Sequence, residues 1–211
     1  MYLIHHHLGL GDHIICNGLV RQLAKVKDVT LAVKHKNLAN VCRMFNDIPI
    51  EYYLIDKDES TGNIGWCFGG DKRINFDEAF YKQAVVNFEE RWNSFYIERD
   101  VKKERQLIEY ICPSKKFCLV HNTASAGKVN INIETDLPIV ELHKTPIEKS
   151  IFDWMGIIEL ASEIHCINSS FIHLVDSMQP IAKLYFHDDR SHLQFSKKLN
   201  WRTLGVGADT N

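Results

Sequence analysis

An alternation of short apolar segments, polar turns and amphipathic segments constrains the fold of this chain more than any other feature. The first apolar segment covers residues 2–8 and leads into a glycine turn at Gly9, after which apolar residues recur at helical spacing. Strands are predicted at 29–33 and 52–55, with a helix over 38–45 between them. Strands that alternate with helices are typical of parallel sheets covered by helices, so the chain is predicted to be an α/β protein.

The same alternation starts again in the second half of the chain. The segments predicted there are strands at 117–121, 137–142, 164–167 and 181–186, and helices at 151–163 and 171–178. A charged helix predicted over 100–111 joins the halves, which meet near Cys112 and Pro113. The sequence therefore predicts two small Rossmann-like lobes with parallel sheets, an N-terminal lobe over 1–112 and a C-terminal lobe over 113–211.

Composition and charge limit the kinds of partner that this protein is expected to bind. The 211 residues carry a formal net charge of −2, which disfavours a strongly basic nucleic-acid-binding protein. No apolar segment approaches the roughly 20 residues needed to span a bilayer, and the N-terminus lacks a targeting pattern. The six cysteines are scattered singly, which is typical of free thiols in a reducing compartment. We therefore expect a cytoplasmic protein without a transmembrane segment.

No metal site and no bound cofactor are expected from the sequence. The cysteines form no CxxC pair, and no HExxH motif is present. The three consecutive histidines His5, His6 and His7 fall in a predicted strand, where only His5 and His7 share a face. Structural or pocket-lining roles for these histidines are favoured over a metal site.

The turn after the first strand is a candidate for catalysis. Gly9 and Gly11 allow a tight turn, and the helix behind them presents free N–H groups that suit a phosphate. Asp12 and His13 follow at the carboxyl edge of the strand, where a carboxylate or an imidazole can take a proton from a hydroxyl group. The alternative interpretation is that Asp12 serves only as a helix cap. Ile14 stands where the dinucleotide fingerprint requires a third glycine.

A second candidate is the polar turn after the strand at 164–167. Asn168, Ser169 and Ser170 begin a helix, and their hydroxyl and amide groups suit phosphate oxygens. His173 lies one turn inside that helix. Ordinary helix capping is the alternative interpretation of these residues.

A third candidate is the loop after the strand at 117–121. Asn122 and Thr123 open this loop, and Lys128 ends it with a positive charge that suits a diphosphate. A surface loop without a function fits the same residues. Two aromatic side chains in the later part of the N-terminal half, Tyr81 and Trp92, are candidates for stacking on the sugar rings of an acceptor, although core packing is the default for aromatic residues.

Taken together, these motifs resemble glycosyltransferases of the GT-B architecture. Residues 9–14, Gly-Leu-Gly-Asp-His-Ile, are similar to the glycine-rich Asp turn of the ADP-heptose:lipopolysaccharide heptosyltransferase family. Residues 168–176, Asn-Ser-Ser-Phe-Ile-His-Leu-Val-Asp, are similar to the donor motif of that family. The C-terminal half also resembles small bacterial and viral sugar transferases with fucosyltransferase-like C-terminal halves.

The resemblance implies roles for individual residues. Asp12 would be the catalytic base, with His13 as the alternative, and Ser169, Ser170 and His173 would border the diphosphate of the donor. Asn168 and Ser170 depart from the acid and the glycine of the family motif, which leaves the donor sugar open. The chain has no DxD motif at a strand end, so donor binding without a metal is implied.

The function expected from this resemblance is metal-independent, inverting transfer of a sugar from a nucleotide-diphosphate sugar to a hydroxyl of a glycan or glycolipid acceptor. The negative charge on the departing nucleoside diphosphate would be stabilised by helix N-termini, hydroxyls and Lys128. Two alternatives stay open: a non-catalytic nucleotide-binding or carbohydrate-binding protein on a Rossmann-like scaffold, and a dinucleotide-dependent enzyme. The missing third glycine argues against the latter.

Overall fold

The computed structural model describes residues 2–56, 75–111, 114–124, 127–188 and 195–205. The structure is mixed α/β, and its two larger sheets are parallel, which confirms the predicted fold class at this level. The chain divides into two compact units. The first contains Met1–Glu98 and Leu193–Ser196, and the second contains Arg99–His192 and Lys197–Asn211.

The first unit is built on a three-stranded sheet in the order β1-β2-β3. Its elements are, in chain order, β1 (Tyr2–Ile4), α1 (Leu10–Ile15), α2 (Asn17–Ala24), β2 (Val29–Val33), a 3-10 turn (His35–Asn37), α3 (Leu38–Phe45), β3 (Glu51–Leu54), α4 (Phe76–Ala84) and α5 (Glu90–Asn93). Every residue of β2 is buried, as expected for the central strand of a covered parallel sheet.

The helical segment after Gly9 divides into α1 and α2 at Cys16, and α2 packs very closely against α5. A Cβ atom at Gly18 would lie 1.8 Å from the carbonyl oxygen of Glu90, so only glycine permits this approach. The Asn17 side chain connects the start of α2 to the backbone of Tyr96. It donates to the Tyr96 carbonyl at 2.9 Å and accepts the Tyr96 N–H at 3.0 Å.

The second unit is built on a five-stranded sheet in the order β10-β9-β8-β4-β7, and all its strands are parallel. Its elements are, in chain order, α6 (Val101–Ile111), β4 (Cys118–His121), β5 (Thr123–Ala124), β6 (Gly127–Lys128), β7 (Ile139–Glu141), a 3-10 segment (Ile151–Trp154), α7 (Met155–Leu160), β8 (Glu163–Ile167), α8 (Ser170–Met178), β9 (Lys183–Asp188) and β10 (Arg202–Gly205).

Helix α6 packs within the second unit. Arg99, just before this helix, forms ion pairs with Glu104 of α6 and Glu159 of α7. Gly156 of α7 lies close to the side chain of Ile108. The second unit therefore begins at Arg99, whereas the lobes expected from the sequence were divided at Cys112.

The strand order of the second sheet changes direction at β4. From β4 the chain adds β7 on one side, returns to place β8 on the other side, and continues outward through β9 and β10. Such a change of direction leaves a crevice at the carboxyl ends of the two strands, and open α/β sheets bind ligands there. The segments after β4 and β8 are those that carry the second and third candidate motifs.

Several details differ from the sequence-based expectations. The loop expected between Asn122 and Lys128 contains the short antiparallel pair of β5 and β6, and the strand β10 had no counterpart among the predicted strands. Cys112 and Pro113, near which the sequence predicts that the two halves meet, lie outside the described residues. Among the helices that the structure describes, none is long and apolar enough to cross a membrane.

Candidate functional site

Two of the predicted motifs meet at the carboxyl edge of the second sheet. His121 is the last residue of β4, and Ser169 follows β8 as the N-cap of α8. The Ser169 Oγ lies 3.1 Å from the His121 Nδ1 and also accepts a hydrogen bond from the Phe171 N–H at 3.3 Å. The imidazole stacks on the Phe171 ring at a centroid distance of 4.8 Å. Segments 48 residues apart are thus joined at the point where the strand order changes direction.

The imidazole of His121 is neutral at physiological pH. Burial lowers its pKa to about 4, because a charged ring would lose its solvation in this environment. The imidazole tautomer decides whether Ser169 donates its hydroxyl proton to Nδ1 or Nδ1–H donates to the hydroxyl oxygen. In either case the contact orients a polar group at the strand end without adding a buried charge.

His121 also lines a pocket of about 680 Å³ that lies within the second unit. This volume is in the range of about 300–1,000 Å³ that small-molecule sites occupy. The residues that line it combine cationic, hydroxyl and apolar groups, and they are His121, Thr123, Lys128, Glu141, Leu142, His143, Lys144, Thr145, Glu148, Lys149, Ser150, Ile151 and Trp154. Such a lining suits a ligand with an anionic part and a flat or apolar part.

Charge in the pocket is arranged around Glu141. Its carboxylate lies 2.6 Å from the Nζ of Lys128, and this contact, together with a hydrogen bond from Asn122, keeps the pKa of Glu141 low. Both partners of the ion pair are partly exposed. Lys144 and Lys149 add two further ammonium groups to the lining. Cationic side chains therefore outnumber the two carboxylates, and the pocket favours an anion.

Side-chain hydrogen bonds to backbone groups hold the pocket wall that follows β7. The Glu148 carboxylate accepts the Thr145 N–H at 2.9 and 2.7 Å. Asp153 accepts the N–H groups of Lys149 and Ser150 at 2.7 and 3.1 Å. These contacts stabilise a wall that has little regular secondary structure, and they present Lys149 and Ser150 to the pocket.

The remaining predicted donor-binding residues of the second unit are distributed around this edge. Asn168 directly follows β8 and is 8% exposed, and Ser170 is the first residue of α8. His173, one turn further along α8, is buried. The structure therefore brings Ser169 to His121, places Thr123 and Lys128 on the pocket, and packs His173 in the interior.

The glycine turn lies in the first unit. Gly9 is the N-cap of α1, Gly11 lies within that helix, and the Asp12 Oδ2 accepts the Gly9 N–H at 3.1 Å. The other carboxylate oxygen of Asp12 lies 3.5 Å from the His7 Nδ1, and the Asp12 side chain is 18% exposed. Asp12 thus caps the helix and retains an exposed edge beside an imidazole.

His13 is buried beside His6. The two rings meet edge to face at 4.4 Å, and neither ring nitrogen of His13 has a hydrogen-bond partner within the described part of the chain. Burial lowers the pKa of His13 to about 3. Only 1% of the surface of His13 is exposed, so its ring has no access to a substrate hydroxyl in this structure. Asp12 is therefore the better candidate for the catalytic base.

The two aromatic candidates for acceptor binding are also buried. The Tyr81 hydroxyl donates to the Ile15 carbonyl at 2.8 Å and accepts from the Leu19 N–H at 3.2 Å, which fixes α4 against α2. Trp92 is 6% exposed and packs against Phe88 at a ring distance of 5.2 Å. These contacts give Tyr81 and Trp92 structural roles in the core, so we assign no acceptor binding to them.

Several residues of the candidate sites were not singled out from the sequence as site residues. His7 belongs to the histidine run, but its contact with Asp12 depends on the turn geometry. His121 was visible only as the last residue of the strand predicted over 117–121. Glu141 and His143 come from the segment around β7, and no local motif marks them.

Comparisons with known proteins give no relative for this chain. We found no match among models of protein families, among curated proteins or among solved structures. A fold class alone does not specify an activity, so the candidate site is the evidence for the function of this chain.

Proposed function

We propose that the second unit binds the diphosphate of a nucleotide sugar at the carboxyl edge of its sheet. We further propose that the protein transfers the sugar, with inversion and without a metal at the diphosphate, to a hydroxyl of a glycan or glycolipid. The observation that carries the proposal is the 3.1 Å contact between Ser169 and His121 beside the pocket. It lies where the strand order changes direction, which is where open α/β sheets bind nucleotides.

The chemistry of the pocket supports a diphosphate ligand. Lys128, Lys144 and Lys149 supply positive charge, and Thr123 supplies a hydroxyl. Ser169 begins a helix of nine residues, whose first N–H groups and dipole favour an anion. The same groups would stabilise the charge that develops on a departing nucleoside diphosphate. The lining also contains the apolar side chains of Leu142 and Ile151, which suit the flat face of a nucleobase.

Removal of one pocket charge tests the binding step. We expect Lys128→Met to weaken the binding of UDP, GDP or ADP, whichever the wild-type chain binds, by roughly tenfold. A charge-assisted hydrogen bond contributes about 1.5–3 kcal/mol, and about 1.4 kcal/mol corresponds to a tenfold change. Isothermal titration calorimetry on the full chain measures the dissociation constants.

The matched control is Lys116→Met, which removes an exposed lysine two residues before β4, at the end of that strand opposite His121. It should leave the dissociation constant within about twofold of the wild-type value, since screening by salt limits charge effects to about 10 Å. Failure of all three nucleotides to bind the wild-type chain contradicts the proposed function. Equal effects of the two variants would indicate that net charge, rather than the pocket, governs binding.

Asp12 is the proposed base that deprotonates the acceptor hydroxyl. Asp12→Asn keeps an oxygen that can accept the Gly9 N–H but removes the carboxylate charge. We expect sugar transfer to fall at least about 100-fold, because general-base catalysis contributes about 10²–10⁴-fold. Nucleotide affinity should not change, since Asp12 belongs to the first unit and the pocket to the second. Retention of transfer activity would exclude Asp12 as the base.

A specific observation favours the second candidate function, a non-catalytic nucleotide-binding or carbohydrate-binding protein. Asp12 already serves as a cap for α1, and His13 is buried. Structural roles within the first unit are therefore sufficient to explain both residues. This candidate predicts nucleotide binding without sugar transfer to any acceptor. It also predicts that Asp12→Asn leaves the nucleotide affinity of the pocket unchanged.

A further inference from the structure

The side chains of a cysteine, a glutamate and a histidine lie close together near the amino-terminal ends of β4 and β8. Cys118 is the first residue of β4 and lies directly opposite Glu163, the first residue of β8. His165 is two residues further along β8, on the same face of the sheet as Glu163. One possible ligand atom of each residue lies within 4.8 Å of those of the other two, and all three residues are buried.

A second observation concerns the imidazole of His165. Its Nε2 is buried and has no hydrogen-bond partner among the residues that the structure describes, although the side chain is only 1% exposed. Its Nδ1 lies 2.9 Å from the His187 Nε2. When Nδ1–H donates to His187, the His165 Nε2 presents a lone pair with nothing to bind. Histidine ligands of metals have this arrangement, with the second nitrogen held by a neighbouring acceptor.

We propose that Cys118, Glu163 and His165 bind a zinc ion. Thiolate, carboxylate and imidazole are the ligand types that zinc takes in proteins, and three protein ligands leave a fourth position for water. On binding, the Cys118 thiol releases its proton to solvent, and the ion forms bonds to sulfur, to a Glu163 oxygen and to the His165 Nε2. No redox change occurs, and one thiolate and one carboxylate balance the two positive charges of the ion.

The surroundings of Glu163 fit this role. Thr135 Oγ1 donates to one carboxylate oxygen at 2.8 Å, and Lys183 Nζ donates to the other at 3.0 Å. Thr135 thereby holds the carboxylate in place. The Lys183 side chain is 73% exposed, so its ammonium group is free to turn to water when an ion arrives.

The position of the cluster separates the proposed ion from the candidate diphosphate site. Cys118 and Glu163 are at the amino-terminal ends of their strands, whereas His121 and Ser169 mark the carboxyl edge of the same sheet. The ion would therefore tie β4 to β8 at the edge opposite the proposed diphosphate site, and this inference does not rest on the proposed function.

Metal analysis of the untagged full chain tests the site. After removal of metal by a chelator and dialysis against zinc, we expect one zinc ion per chain and a higher melting temperature. Replacement of zinc by Co²⁺ should give the visible bands of a tetrahedral ion and a near-ultraviolet thiolate charge-transfer band. Cys118→Ser should lose the charge-transfer band, and both Cys118→Ser and Glu163→Gln should bind zinc at least roughly tenfold more weakly.

Cys42→Ser is the matched control, because Cys42 is a half-buried thiol of the first unit. It should retain the charge-transfer band and the wild-type zinc content. X-ray absorption of the zinc-loaded wild-type chain should show one sulfur ligand, which gives a test that requires no variant. Absence of stoichiometric zinc, a coordination shell without sulfur, or an unchanged band in Cys118→Ser would each overturn the proposal.

Discussion

Replacement of Arg91 by methionine is expected to lower the free energy of unfolding of the first unit by about 3–5 kcal/mol, which is the cost of leaving a buried charge without its partner. Arg91 and Asp77 form a salt bridge in which both side chains are fully buried. Arg91 and Asp77 also bind the backbone of Ser196, which is distant in sequence. Arg91 donates to the Ser196 carbonyl at 3.0 Å, and Asp77 accepts the Ser196 N–H at 3.0 Å. Arg91→Met should therefore also weaken the attachment of the segment that contains Ser196.

Chemical denaturation of the full chain measures this effect, and two further variants interpret it. Lys82→Met removes an exposed charge from α4, the helix that carries Asp77, and should change stability by less than about 0.5 kcal/mol. The double variant Asp77→Leu/Arg91→Met should be more stable than Arg91→Met, because apolar residues replace both charges. A single variant as stable as the wild-type chain would contradict the structural role assigned to the pair.

Acidification from pH 6.5 to pH 5 is expected to destabilise the first unit by about 2 kcal/mol through His13 alone, about 1.4 kcal/mol per pH unit, and the buried His6 adds to this loss. Burial lowers the pKa of His13 to about 3 and holds the pKa of His6 well below its usual value. The unfolded chain binds protons on these rings below about pH 6.5, whereas the folded chain does not. Stability is therefore complete above that pH and decreases as the pH falls toward 3.

Removal of one of these rings separates this effect from general acid denaturation. His13→Leu should reduce the slope of unfolding free energy against pH by about 1.4 kcal/mol per pH unit between pH 6 and pH 4. Gln83, an exposed residue of α4, is the matched control because its side chain carries no titratable group, and Gln83→Leu should leave that slope almost unchanged. A slope that is identical in the wild-type chain and in His13→Leu would show that His13 is not buried in the neutral form.

Periodicity and turn chemistry predicted the regular elements of this fold well. The expected segments at 29–33 and 38–45 match β2 (Val29–Val33) and α3 (Leu38–Phe45), since their apolar residues follow the periods of a strand and a helix. The strand expected at 2–8 ends already at Ile4. Its polar residues His5 and His6 are buried in the turn that follows, which a pattern of apolar residues does not reveal.

The candidate site was only partly predictable, because its contacts join distant segments. The motifs at Asn122 and Ser169 were visible in the sequence, since polar residues after buried strands fall at the carboxyl edge of a sheet. The contact between Ser169 and His121 depends on the pairing of β4 with β8, which no local pattern encodes. Tyr81 and Trp92 were misassigned because packing contacts, rather than residue type, decide whether an aromatic side chain is exposed.

A structure of the chain soaked with UDP, GDP or ADP shows directly whether the second unit binds a diphosphate. We expect density for the diphosphate at the carboxyl edge of the second sheet, within hydrogen-bonding distance of Lys128 and the N-terminus of α8, with the base in the pocket beside Leu142. A nucleotide bound elsewhere on the chain would contradict the proposed function. So would an unoccupied pocket in crystals whose lattice leaves that pocket open to solvent.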